Sequence, residues 1–314
     1  MKVSVSGFNP IKSVNFDIAD VTILIGPNAS GKTLLTTVLY SAMETFQRFS
    51  VERLRLINDE LRKMIATTFS EVLARNSVDI HSVVDSDARI SLGDNGSYVS
   101  FDVSDKGIEV EITDYGAIER LRSFNPIFLP TNRVDSLSDS NDLVSMIVNS
   151  WRAISKIYKP RAIEARKLGM TLVARDGELF VKFSGSEVPI NRLSYGLKQL
   201  VPILLSTEPF NFILIDEPTL DLHPDMQVRL ANYLYDLVEN GKKLFITTHS
   251  DIFTVQMAIN HVKRGREKGK TLKIYFLNEG KIEEIEYKEN GDIEAIPTIL
   301  DTLKQQSIEM YGKS

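Results

Sequence analysis

The chain has 314 residues, with 37 Lys and Arg against 42 Asp and Glu and a 43% hydrophobic share, enough for one large domain or two small ones around a sizeable core. Having no cysteine, it holds neither disulfides nor thiolate metal sites, and its histidines, His81, His223, His249 and His261, are too dispersed to suggest a metal cluster. A formal net charge of −5 gives no overall pull toward nucleic acid; with no leader pattern and no apolar run near the ~18 to 20 residues of a membrane span, a soluble, cytoplasmic protein without a membrane partner is expected.

In chain order, Val21 to Ile25 is a short β-branched run that stops at Gly26, and Leu34 to Met43 follows without Gly or Pro, which predicts strand, glycine loop and helix. Residues 44–76 carry apolar positions at helical spacing among Arg, Lys and Glu, which predicts one or two amphipathic helices forming an arm or lid. Ala88 to Asp114 alternates polar and apolar residues around GDNG and SDKG, the pattern of a small antiparallel meander. A strand ending at Leu129 and Pro130 comes next, then a mostly helical stretch from Ser138 to Lys167 and a hairpin turning at Asp176-Gly177 within Thr171 to Phe183. Phe212 to Ile215 and Lys243 to Thr247 read as buried strands flanking a helix over Met226 to Asn240. Two strands about Asn278-Glu279-Gly280 and a closing helix over Ile296 to Glu309 complete an α/β pattern.

Gly26, Pro27, Asn28, Ala29, Ser30, Gly31, Lys32 and Thr33 fit the phosphate-loop pattern G-x-x-x-x-G-K-[ST] in the strand–helix context it requires. Backbone N–H groups of such a loop wrap phosphates, Lys32 would reach the β- and γ-phosphates of a nucleoside triphosphate, and Thr33 would ligate Mg²⁺. FILIDEP, Phe212 to Pro218, is an apolar strand ending in adjacent acids; successive residues point opposite ways, so Asp216 can sit over Mg²⁺ while Glu217 meets the attacking water. His249, after KLFITT, can donate to a terminal phosphate oxygen. LSYGLKQ, Leu193 to Gln199, opens a helix with Ser194 and Gly196 at its N-terminus, a natural anion position and equally an ordinary cap, and Pro202 falls inside that helix.

Taken in order, GPNASGKT, LSYGLKQ, FILIDEP, LDLHP (Leu220 to Pro224) and TTHS resemble the motif set of the ABC-type ATPase heads, in the soluble branch of structural-maintenance-of-chromosomes, DNA-repair and overcoming-lysogenisation-defect ATPases. The resemblance implies a P-loop NTPase fold of the ABC-head type with a mixed sheet, formed by residues 1–43 and 126–314 and interrupted by the helical arm and meander at 44–125. It implies ATP and Mg²⁺ as ligands, and a homodimer holding two ATP molecules, in which Ser194, Gly196 and Asp221 reach the nucleotide of the other subunit. Glu217, His249 and Lys32 would be the catalytic residues, and Thr33 and Asp216 the metal ligands. Two positions depart from the set: Ala29 replaces a usual glycine, and Thr131, Asn132 and Arg133 stand where a glutamine loop belongs. No aromatic residue is singled out to stack on adenine. The arm lacks sustained heptads, and the missing cysteines exclude a zinc hook.

The process driven by ATP has two main readings: DNA-related or anti-foreign-DNA work, alone or with a nuclease partner, and an ATP-gated scaffold or sensor that controls an effector protein. A transporter subunit fits less well. Two basic sets could meet phosphate backbones or simply be solvated: Lys263, Arg264, Arg266, Lys268 and Lys270, and Arg152, Lys156, Lys159, Arg161, Arg166 and Lys167. The roughly 60 residues after His249 are too few for a built-in two-metal nuclease.

Overall fold

The computed structural model describes residues 1–94, 96–137, 143–157 and 161–293. The chain opens with β1 (Lys2–Phe8), β2 (Ile11–Asp17) and β3 (Val21–Ile25), then α1 (Lys32–Gln47), α2 (Val51–Leu54), α3 (Asp59–Arg75) and α4 (Ile80–Val83). A meander follows, β4 (Val84–Asp94), β5 (Ser97–Ser104) and β6 (Gly107–Ile112), with α5 (Tyr115–Ser123), β7 (Pro126–Leu129) and α6 (Leu143–Ile157) after it. Next come β8 (Arg161–Ala165), β9 (Met170–Arg175), β10 (Glu178–Phe183), β11 (Ser186–Pro189) and α7 (Tyr195–Ser206). The last elements are β12 (Phe212–Asp216), α8 (Pro224–Glu239), β13 (Lys243–Thr247), α9 (Asp251–Asn260), β14 (Leu272–Asn278) and β15 (Lys281–Ile285). The closing helix expected over 296–309 lies outside the described residues.

The central sheet has the order β15-β14-β3-β13-β12-β7. It is parallel from β14 to β7, with β15 antiparallel at one edge, so the expected mixed sheet is present. Its inner strands β3, β12 and β13 are buried on both faces, which is why they read as largely apolar runs. Ile23, Ile213 and Ile246 enter one core with α7, α8 and α9, whereas Leu24, Leu214 and Phe245 enter a second core with α1 and the antiparallel sheet. Helix α1 lies between two sheets and is buried almost all round, from Leu35 to Phe46.

The antiparallel sheet has the order β2-β1-β4-β5-β6. The meander at 84–112 therefore continues the N-terminal hairpin, with Val5 opposite both Val14 and Ile90. The helical segment after residue 44 lies against the body: Leu61, Ile65, Phe69, Val72 and Leu73 of α3 form a buried stripe that packs on α1 and β6. Phe69 stacks on Phe101 of β5 at 4.1 Å between ring centroids.

One expected helix is divided. The stretch predicted as helical to Lys167 ends as α6 at Ile157, and residues 161–165 form β8, an edge of the four-stranded sheet β11-β10-β9-β8. The alternation there is two-residue, with Ile163 and Ala165 buried between exposed neighbours, and the preceding proline at 160 is a helix breaker in sequence. The hairpin turn at Asp176-Gly177 has φ of 53° and 80°, the left-handed pair that a two-residue connection favours.

Candidate active site

The site forms where β3, β13 and β12, neighbours in the parallel sheet, reach their C-terminal ends on one edge. Leu24 is level with Thr247, and Thr247 is level with Asp216, so three motifs far apart in sequence converge within one strand spacing. The phosphate loop joins β3 to α1. Ala29 has φ of 60°, the left-handed region that glycine enters freely, and this accounts for glycine being the usual residue there. At Gly26 an added Cβ would lie 2.1 Å from the Leu277 carbonyl oxygen, so the loop tolerates no side chain at that position. Helix α1 begins after Gly31 with no side-chain cap, which leaves its first N–H groups facing the loop's concavity.

Lys32 is buried, and its Nζ donates to the carbonyls of Gly26 (2.9 Å) and Pro27 (2.8 Å). Burial lowers its pKa, and the charges of Glu217 and Asp216 oppose the shift. Ser30 Oγ is buried without a hydrogen-bond partner among the described residues, an unsatisfied group at the place where the loop would meet a phosphate. Asp216 is buried and accepts hydrogen bonds from three hydroxyls: Thr33 Oγ1 at 2.9 Å, Thr131 Oγ1 at 2.6 Å, and Thr247 Oγ1. This all-oxygen set of hydroxyls about one carboxylate fits Mg²⁺, a hard cation bound through one or two carboxylates and substrate phosphates. Thr33 and Asp216 are the residues that would hold it.

Glu217, the first residue beyond β12, faces away from Thr33 toward His249. Its Oε2 accepts from the main-chain N–H of His249 at 3.2 Å, and its Oε1 lies 3.3 Å from His249 Nε2. Its backbone takes the left-handed φ of 48° and its N–H donates to the Thr247 carbonyl at 3.0 Å. Burial raises the Glu217 pKa; the His249 N–H and the charges of Lys32 and Arg133 pull it back, while Asp216 adds to the rise. The imidazole of His249 has its pKa lowered by burial and by Lys32. A carboxylate moved up toward working pH beside a largely neutral imidazole is a suitable proton acceptor.

A cleft of about 1010 Å³ opens in front of these groups, bordered by Asn28, Lys32, Thr33, Glu217, Asp221 and His249. Ser194 and Gly196 lie outside its lining. Ser194 is exposed at the start of α7 and its side chain makes no capping hydrogen bond. Gly196 is buried against the turn after β12, and a Cβ there would lie 2.4 Å from the Asp221 carbonyl oxygen. Asp221 itself is exposed, with φ of 57°. The structure thus lines one cleft with the phosphate loop, Glu217 and His249, sets Asp216 against Thr33 in the neighbouring pocket, and leaves Ser194 exposed at the helix start with Gly196 buried beneath the Asp221 backbone.

Thr131 and Arg133 supply what the missing glutamine left open. Thr131 holds Asp216, and the fully buried Arg133 donates to the carbonyls of both acidic residues, Asp216 (2.9 Å) and Glu217 (3.1 Å). The sequence signal was present as LPTNR after a strand, but nothing in it revealed that backbone carbonyls would be the partners. Four residues of the basic sets form ion pairs within the chain. Arg264 bridges Asp236 and Glu239, Lys268 meets Glu239, Arg161 meets Glu208, and Arg166 meets Glu164. Lys159 lies outside the described residues.

Residues 132–254 match the AAA ATPase domain family; the phosphate loop precedes the matched segment and rests on its own geometry. No curated protein matches the sequence. Among solved structures, an Smc head bound to the C-winged helix domain of ScpA aligns with a TM-score of 0.53 at 14% identity, over 96% of this chain and 98% of that one. An Smc head with an extended coiled coil, bound to the C-terminal domain of ScpA derived from Pyrococcus furiosus, aligns with a TM-score of 0.52 at 11% identity, over 97% and 98%. Residues 132–254 thus carry the match to an AAA ATPase domain, and the chain as a whole shares the fold of the Smc heads, with a mixed P-loop sheet. Among the described residues, no helix is long and apolar enough to cross a membrane.

Proposed function

We propose that this chain binds ATP with Mg²⁺ and hydrolyses it to ADP and phosphate, as a homodimer that closes around two ATP molecules. The observation that carries the reading is the opposed pair Asp216 and Glu217, one carboxylate turned to Thr33 of the phosphate loop and the other to His249. Phosphate-loop N–H groups and Lys32 bind the phosphates, Glu217 takes a proton from the attacking water, and His249 donates to the γ-phosphate. The water oxygen bonds to the γ-phosphorus as its bond to the bridging oxygen breaks, releasing ADP and phosphate. Mg²⁺ at Thr33 and Asp216 would neutralise phosphate charge. As the resemblance to the ABC-type heads implies, Ser194 and Gly196 serve the nucleotide of a second copy, a contact made only in the closed dimer; their position outside the cleft is compatible with this.

The proposed work of this cycle is DNA-related or directed against foreign DNA, in the cytoplasm and with a possible nuclease partner. The second reading, control of an effector protein, is favoured by one observation: both aligned Smc heads are bound to a piece of ScpA. Steady-state hydrolysis with and without DNA at two salt concentrations separates the two, since phosphate contacts are lost as salt rises. Glu217→Gln should turn over at least ~100-fold more slowly while still binding ATP, the usual loss on removing a general base. Wild-type turnover in that variant would overturn the assignment.

A further inference from the structure

Arg133 is fully buried, yet the hydrolytic chemistry described above does not use it. Its guanidinium donates to four main-chain carbonyls on three segments: Pro130 (3.1 Å) beyond β7, Gln199 (3.2 Å) in α7, and Asp216 (2.9 Å) and Glu217 (3.1 Å) at the end of β12. Helix α7 is the one that carries Ser194 and Gly196 at its start. A second strand of contacts runs alongside, from Gln199 Nε2 to the Thr131 carbonyl (3.4 Å) and from Thr131 Oγ1 to Asp216 Oδ2 (2.6 Å). Pro202 within α7 has no N–H to offer the carbonyl of Lys198, next to the carbonyl that Arg133 takes. A buried cation is costly, and an apolar side chain of like volume would pack these segments at lower cost. The charge is therefore retained for what it holds.

We propose that Arg133 is a positioning residue that couples the dimer-facing helix α7 to the hydrolytic carboxylates, fixing the left-handed backbone of Glu217 according to where α7 sits. When a second copy engages Ser194 and Gly196, displacement of α7 reaches Glu217 through one rigid planar fork; ATP binding in the phosphate loop does not pass through it. The inference rests on the ATPase reading above. Its own signature is a loss in kcat with little change in KM.

The test measures kcat and KM for wild type, Glu217→Gln, Arg133→Met and Arg133→Lys, with thermal unfolding of each. Arg133→Met should lose about 100-fold in kcat, the scale of a small misplacement of catalytic groups, with KM within about threefold. Arg133→Lys keeps the charge but not the planar fork; it should lose about tenfold in kcat. If Arg133→Met does not fold, the tenfold kcat loss at unchanged KM in Arg133→Lys carries the test. Unchanged kcat in the folded variants, or equal losses in kcat and affinity, overturns the coupling while leaving a Glu217-dependent ATPase intact. Absence of Glu217-dependent turnover in wild type would sink the ATPase reading itself.

Discussion

Three residues other than glycine take left-handed backbone conformations at the site: Ala29, Glu217 and Asp221. Each costs of order 1 kcal/mol, and such residues persist where the surroundings over-determine them. Ala29→Gly should preserve thermal stability and turnover, whereas Ala29→Val, β-branched at φ of 60°, should lower stability by about 1–3 kcal/mol in thermal unfolding. Titration adds a second expectation. Glu217 must be ionised to accept a proton, and its pKa is raised by burial, so turnover falls on acidification at a pH above the ordinary carboxylate range. A kcat–pH profile with an acid limb no higher than that of a free carboxylate would contradict this. The placement of the short motifs was legible in sequence, since Gly26 to Thr33 and Asp216-Glu217 are set by local geometry. That of Arg133 was not, because three of its four acceptors are carbonyls 66 to 84 residues away, and any residue type carries a carbonyl.

Helix α7 shows how an element can join two surfaces. Its buried Gly196 lets the turn after β12 approach so closely that a methyl group would collide with the Asp221 backbone. Gly196→Ala should therefore push that turn outward, leave ATP affinity within about threefold, and reduce both ATP-driven dimer mass in light scattering and turnover by about tenfold or more. Equal dimerisation by the variant would remove α7 from the interface. At this scale periodicity was informative where burial was one-sided, as in α3 and the meander, and for the doubly buried central strands. It failed at residues 161–165, where a five-residue strand follows directly on helical sequence and only the alternation of Ile163 and Ala165 marks the change. The hairpin β1–β2 also went unread, since its role depends on a partner strand more than 70 residues later.

The whole molecule is two cores back to back on the central sheet, with α1 enclosed between that sheet and the antiparallel one. Aromatic rings tie the layers together: Phe46 of α1, Phe101 of β5 and Phe69 of α3 are in contact. Phe69→Ala should cost about 3–5 kcal/mol in chemical denaturation. A loss below about 1 kcal/mol would mean that α3 is only loosely laid on the body. The pairing of β1 with β4 also has a consequence for how the protein is made. During synthesis the N-terminal hairpin leaves the ribosome with one edge unpaired, and its partner arrives only with residues 84–93. The strands that flank β3 come later still, with Thr247 and then Leu272 onward. The glycine loop after β3 thus acquires its two flanking strands, and with them its fixed frame, only once β13 and β14 have been made.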